Sequence, residues 1–143
     1  MTNIPEPRLR QPSAPALLLS LLLGAGAGAG AAAAATPPEL LAGYTAQAAG
    51  AANAVRGQQF FTTRQGREWS CASCHAAVPT QAGKHASTGK AITALAPAFN
   101  PERFSDPAKV EKWFRRNCND VAGRECSAAE KADVMAWLLT LKP

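Results

Sequence analysis

What is scarce in this chain excludes most chemistries before any motif is read. Its 143 residues hold two histidines, two methionines, one tyrosine and 6% aromatic residues. No stretch alternates apolar and polar residues in the manner of a half-buried strand. No segment repeats, and no run of Lys or Arg builds a basic patch. With a formal charge of only +5, a nucleic-acid function is excluded, and the missing strands exclude a βαβ redox framework around a cysteine pair. Large aliphatics are few outside the N-terminal run, so a domain of this size has little side-chain core to fold around.

The longest apolar run belongs to an export segment. Arg8 and Arg10 stand in a proline-broken head, Ala16 to Leu23 is apolar, and a Gly/Ala tract ends at Ala35. Basic head, apolar middle and small-residue end predict a secretory signal over residues 1–35, cleaved near Ala35. An uncleaved anchor is the alternative, since about twenty residues can cross a bilayer, although Gly and Ala drive insertion weakly. No Arg-Arg pair marks a twin-arginine signal. Either way residues 36–143 form one domain outside the cytoplasm, with a periplasmic location expected. Without the leader 13 basic and 9 acidic side chains remain, a mild positive balance.

The domain reads as all-α. Thr36-Pro37-Pro38-Glu39 opens a helix that the spacing of Leu41, Tyr44, Ala48, Ala51 and Val55 carries from about 38 to 62. Residues 63–70 form a polar turn. Ala76 to Arg103 has no period and is punctuated by Pro79, Gly83, Gly89, Pro97 and Pro101, an ordered loop too long to stand on its own. Asp106-Pro107 starts a second helix with Val110, Trp113, Phe114 and Asn117 on one face. Glu111, Lys112, Arg115 and Arg116 face away, and the helix is expected to end near Asn117. Ser127-Ala-Ala-Glu130 is a capping box for a third helix with Val134, Trp137, Leu138 and Leu141 on its apolar stripe.

Cys71-Ala72-Ser73-Cys74-His75 is the pattern that attaches a c-type haem. Cys71 and Cys74 each add a thiol across one haem vinyl group, and His75 supplies Nε2 to the iron as proximal ligand. A zinc site would need further ligands from Cys118, Cys126 or His85, and exported cysteines oxidise rather than hold zinc. One covalent haem c also accounts for the long loop, which can wrap an apolar macrocycle in place of missing core.

The sixth iron position has three candidates. Met135, the one methionine of the domain, lies inside the last helix and reads as a packing residue. His85 follows His75 by only ten residues and suits a surface or propionate-contacting role. Asn117 shares the Val110/Trp113/Phe114 face, so its amide points into any pocket those residues wall. It equally suits a helix C-cap, and the two readings stand level. Cys118 and Cys126 form a separate pair beside it.

The segments Cys71–His75, Thr88-Gly-Lys90, Asn100-Pro-x-Arg-Phe104, Val110–Val121 and Gly123-Arg-Glu-Cys126 resemble the sphaeroides haem protein family. The resemblance covers about residues 55 to 141 and leaves 36–54 outside. It implies a class I cytochrome c fold, three main helices and a long loop around one haem. It also implies Asn117 as sixth ligand, a Cys118–Cys126 disulfide, and an electron donor that is a dihaem c-type cytochrome. A carboxamide oxygen suits ferric iron better than ferrous, so reduction should open a distal pocket walled by Trp113 and Phe114 to O₂, NO or CO. The alternatives are a plain electron shuttle with a permanent sixth ligand, and an enzyme acting on oxygen, peroxide or NO. A peroxidase would need a distal acid–base group, for which His85 is the one histidine left. Contact with a membrane is expected only through the partner or an uncleaved signal.

Overall fold

The computed structural model describes residues 34–143; the expected export segment lies almost wholly outside them. The element order is α1 Pro37–Gln47, α2 Ala54–Thr62, α3 Ala72–His75, β1 Gly83–Lys84, β2 Ala91–Ile92, α4 Pro107–Ala122 and α5 Ala128–Thr140. Among the described residues no helix is long and apolar enough to cross a membrane.

α1 starts as its residues dictate. Thr36 Oγ1 accepts from the Glu39 N–H at 3.4 Å and Glu39 Oε2 accepts from the Thr36 N–H at 2.7 Å, satisfying two free donors reciprocally. The expected continuous helix from 38 to 62 is not found. Ala48 turns extended and the chain re-enters a helix only after Asn53. A polar link to α5 holds the break open. The Asn53 N–H donates to Asp133 Oδ1 at 2.6 Å, and the Arg56 guanidinium donates to both Asp133 oxygens at 2.7 and 2.9 Å. Charge-assisted bonds to a buried carboxylate outweigh the few helical bonds that alanine-rich residues 48–53 give up.

α2 crosses α5 at Gly57, where a Cβ would overlap the Asp133 carbonyl. Only glycine lets the two backbones approach so closely. The crossing brings Phe61 to 4.9 Å from Trp137, ring centre to ring centre.

α4 also departs from expectation, passing Asn117 and running to Ala122. Gly123, left-handed at φ 70°, ends it by donating its N–H to the Asn119 carbonyl. Nor does Glu111 face away. It receives Lys131 Nζ at 2.7 Å and links α4 to α5. The small hairpin, with Gly83 opposite Ile92 and Lys84 opposite Ala91, has no precedent in the sequence pattern.

The core divides in two. One cluster gathers Tyr44, Val110, Ala132 and Met135, the other Phe61, Val134, Trp137 and Leu138; Phe104 and Phe114 pack against both.

Candidate haem site

α3 is a single turn, and its value is geometric. Positions i, i+3 and i+4 share one helix face, so Cys71, Cys74 and His75 present their side chains together. The His75 N–H donates to the Cys71 carbonyl at 3.0 Å, and the Ser70 N–H donates to Ser73 Oγ at 3.0 Å, closing the turn from both ends. Cys71 and Cys74 are not joined in a disulfide. The hairpin presses on this turn: a Cβ on Gly83 would overlap the Cys74 carbonyl, and the Ala86 N–H donates to Cys74 Sγ at 3.2 Å.

The three side chains open on a cavity of about 550 Å³, in the size range of cofactor pockets. α4 lines it with Val110, Trp113, Phe114 and Asn117, and α5 with Val134 and Leu138. Burial, then the charges of Arg103 and His85, push the His75 pKa down to about 4. The ring is therefore neutral, the state in which an imidazole can bind metal. Burial likewise pushes the Cys71 thiol up to about 11.

Asn117 is half-buried and lines the cavity, and its side chain makes no hydrogen bond among the described residues. The helix continues past it, so the C-cap alternative is removed. Trp113 is 42% exposed at the cavity rim, with the Arg116 guanidinium 5.6 Å from its ring centre. Phe114 reaches further in, edge-on to Tyr44 at 5.7 Å. Met135 is fully buried in the first core cluster and does not line the cavity. Cys118 and Cys126, both buried, are joined by a disulfide with Cα atoms 5.6 Å apart, and both line the cavity beside Asn117.

The sequence reading gave no role to three further cavity residues: Trp69, Arg103 and Phe104. Trp69 lies in the turn read only as polar. Phe104 holds a left-handed backbone, φ 59°, which is rare for a bulky residue and costs about 1–2 kcal/mol. The strain aims its ring between the two core clusters. The motif Asn100-Pro-x-Arg-Phe104 marked Arg103 and Phe104 without explaining them.

A c-type haem needs two thiols one turn apart, a neutral imidazole beside them and an apolar slot. The residues present fit it.

Comparison with known proteins agrees. A family model described as a domain of unknown function, DUF1924, matches residues 47–138. Cytochrome c-type protein SHP of Cereibacter sphaeroides is 50% identical over 107 residues, 72% of this chain and 82% of that protein. The structure of oxidised SHP, described as an oxygen-binding cytochrome c, superposes with a TM-score of 0.70 at 47% identity, over 74% of this chain and 97% of that one. Cytochrome c'' of Methylophilus methylotrophus, in its oxidised crystal form, gives 0.66 at 41% identity, over 75% and 95%; its solution structure addresses haem-ligand detachment. Coverage of 74% of 143 residues reaches back into α1 wherever the match ends, so residues 36–54 do not stand outside the family as the motifs suggested. With one haem c as its cofactor and a cytochrome c fold, this chain belongs to the sphaeroides haem protein family.

Proposed function

We propose that this chain is an exported cytochrome that accepts electrons and, once reduced, binds a small diatomic molecule at a position Asn117 otherwise closes. One observation supports it above the rest. Of the four asparagines among the described residues, Asn53, Asn100 and Asn119 spend their amides on hydrogen bonds and Asn117 does not. The Asn117 amide lines the cavity and is left free to meet a haem iron.

Haem, when bound, supplies a one-electron couple and an iron with a sixth position to fill. Cys71 and Cys74 hold it through thioethers, and His75 gives Nε2 as the proximal donor. Asn117 would offer a hard, neutral oxygen, better matched to ferric than to ferrous iron, and would be the donor given up on reduction. Trp113 and Phe114 then wall a space suited to O₂, NO or CO. The Cys118–Cys126 bridge limits how far the backbone at Asn117 can retreat. The description of SHP as oxygen-binding, and of cytochrome c'' in terms of ligand detachment, supports the same behaviour here. Thioether attachment of haem belongs outside the cytoplasm, which agrees with the export segment at residues 1–35. The donor we assign is a dihaem c-type cytochrome, approaching the basic rim of Lys109 and Arg116.

Carbon monoxide titration of the dithionite-reduced holoprotein tests the claim. A shifted Soret band is expected, and Asn117→Ala should turn the ferric protein high-spin at neutral pH. No shift with carbon monoxide would leave a plain electron shuttle, and an unchanged low-spin ferric spectrum would assign the ligand elsewhere.

A further inference from the structure

Arg103 is a half-buried cation without an anion. It lines the haem cavity, and no ion pair among the described residues includes it. Its Nε donates to the Ala94 carbonyl at 3.0 Å, and its Nη2 donates to the Thr93 carbonyl at 3.0 Å and hydroxyl at 2.9 Å. Three of the five guanidinium donors are thus spent, which fixes the plane of the group. Both donors on Nη1 remain without partners among the described residues. Burial disfavours its charged form. Taking a guanidinium out of water unpaired is expensive, and the adjacent Glu102 makes no ion pair with it.

The other basic groups on the cavity wall are accounted for. Lys109 is exposed, and Arg116 is exposed and stacked on Trp113. His85 Nδ1 accepts from the Ser87 and Thr88 N–H groups at 3.3 Å each, and its neighbour Ala86 is bonded to Cys74 Sγ, so His85 sits at the thioether end. A c-type haem carries two carboxylates on the porphyrin edge away from its thioethers. The geometry points to Arg103 as the anchor of a haem propionate. Its Nη1 edge is left to meet the carboxylate, while its other edge is held by Thr93 and Ala94 of the loop. Arg103 is thereby a cofactor-positioning residue, and its charge favours the reduced state.

The inference rests on the haem occupying this cavity, and the two fail differently. Colourless protein would remove the haem, whereas coloured protein with an unmoved potential removes only the anchor. Reduction potentials of the holoprotein and of Arg103→Gln, Arg103→Lys and Lys109→Gln supply the test. Arg103→Gln should lower the ferrous-to-ferric ratio at fixed ambient potential about tenfold, or about 59 mV in midpoint. Arg103→Lys keeps the charge but not the fork and should retain most of the native value. Lys109→Gln, a solvated charge, should shift the ratio less than about twofold. An Arg103→Gln ratio within about twofold of native, or an Arg103→Lys shift equal to it, would reduce Arg103 to a loop tie. Should Arg103→Gln fail to mature, the native holoprotein decides the matter by redox-difference infrared spectroscopy with ¹³C in the propionate carboxyls. Ionised carboxylate bands alone are expected at neutral pH; a protonated carboxyl band there overturns the anchor.

Discussion

Replacing Gly57 by alanine tests the crossing on which the haem cavity is built. In an exposed helix the change is favourable by about 1 kcal/mol, because alanine loses less backbone freedom on folding. Here the new Cβ meets the Asp133 carbonyl oxygen and carbon and the Val134 nitrogen, all backbone atoms of α5. No side chain can swing aside, so the helices must part, at the upper end of the 1–3 kcal/mol that overpacking costs. Parting them also strains the Asp133 links to Asn53 and Arg56 and the Phe61–Trp137 contact, for about 1 kcal/mol more. The net expectation is a loss of about 3 kcal/mol and a fall in Tm of more than about 10 °C. Gly43 in α1 is the control. Nothing lies within 4 Å of a Cβ built there, so Gly43→Ala should be neutral or stabilising by up to about 1 kcal/mol. Urea unfolding of both holoproteins, followed by far-ultraviolet circular dichroism with unchanged m, reads the difference. A Gly57→Ala midpoint at or above the native one would mean the crossing is loose and the argument wrong.

Two further perturbations probe the surroundings of Asn117 and the start of α5. Replacing Cys118 and Cys126 by serine reopens a short loop and should cost about 2.5 kcal/mol by loop-closure entropy; it should also speed cyanide binding to the ferric protein, and equal rates would show that the bridge does not restrain Asn117. Glu130 is held below the usual carboxylate range by its hydrogen bonds to Arg124 and, less strongly, to Ser127. Its folded pKa lies under its unfolded one, so its contribution is complete above about pH 4.3 and fades as pH falls through the lower folded value. Glutamine at the same place still accepts the Ser127 N–H, so Glu130→Gln isolates the partly exposed ion pair. A deficit of about 0.5 kcal/mol at neutral pH is expected, vanishing in acid; a deficit independent of pH would contradict the assignment.

Much of this was legible in the residues. Both capping boxes, the Asp106 cap with Pro107 behind it and the placing of Met135 in the core follow from local chemistry, which acts within one helical turn. Most of the errors came from contacts distant in sequence. Nothing near Asn53 announces that Asp133, eighty positions on, will take its N–H and divide one expected helix into two. Glu111 looked like part of a solvated face because its partner Lys131 lies twenty residues away. The hairpin of Gly83–Lys84 and Ala91–Ile92 is too short to leave a period, and it exists because Gly83 can lie on the Cys74 carbonyl. α4 runs past Asn117 to Ala122, which removes the C-cap reading, and Cys118 and Val121 continue its buried stripe in a way that a disulfide cysteine obscures.

How α4 is attached bears most directly on its proposed role. α5 packs closely along α1 and α2, whereas α4 makes few close backbone contacts with any other element. Side chains tether it instead: Glu111 to Lys131 at 2.7 Å, Phe114 against Tyr44, Arg115 to Glu125 at 3.2 Å, and the Cys118–Cys126 bridge. The Tyr44 hydroxyl is buried beside Glu111, which places both at the same junction of α1, α4 and α5. A helix interlocked with its neighbours would hold Asn117 at one distance from the iron, because close-packed interiors resist small displacements. α4 is itself part of the core through Val110, packed with Tyr44, Ala132 and Met135, so its first half is held while the turn carrying Asn117 leans on the Cys118–Cys126 bridge. The release proposed for Asn117 is therefore expected as a movement of that turn and its side chain, not of the whole helix.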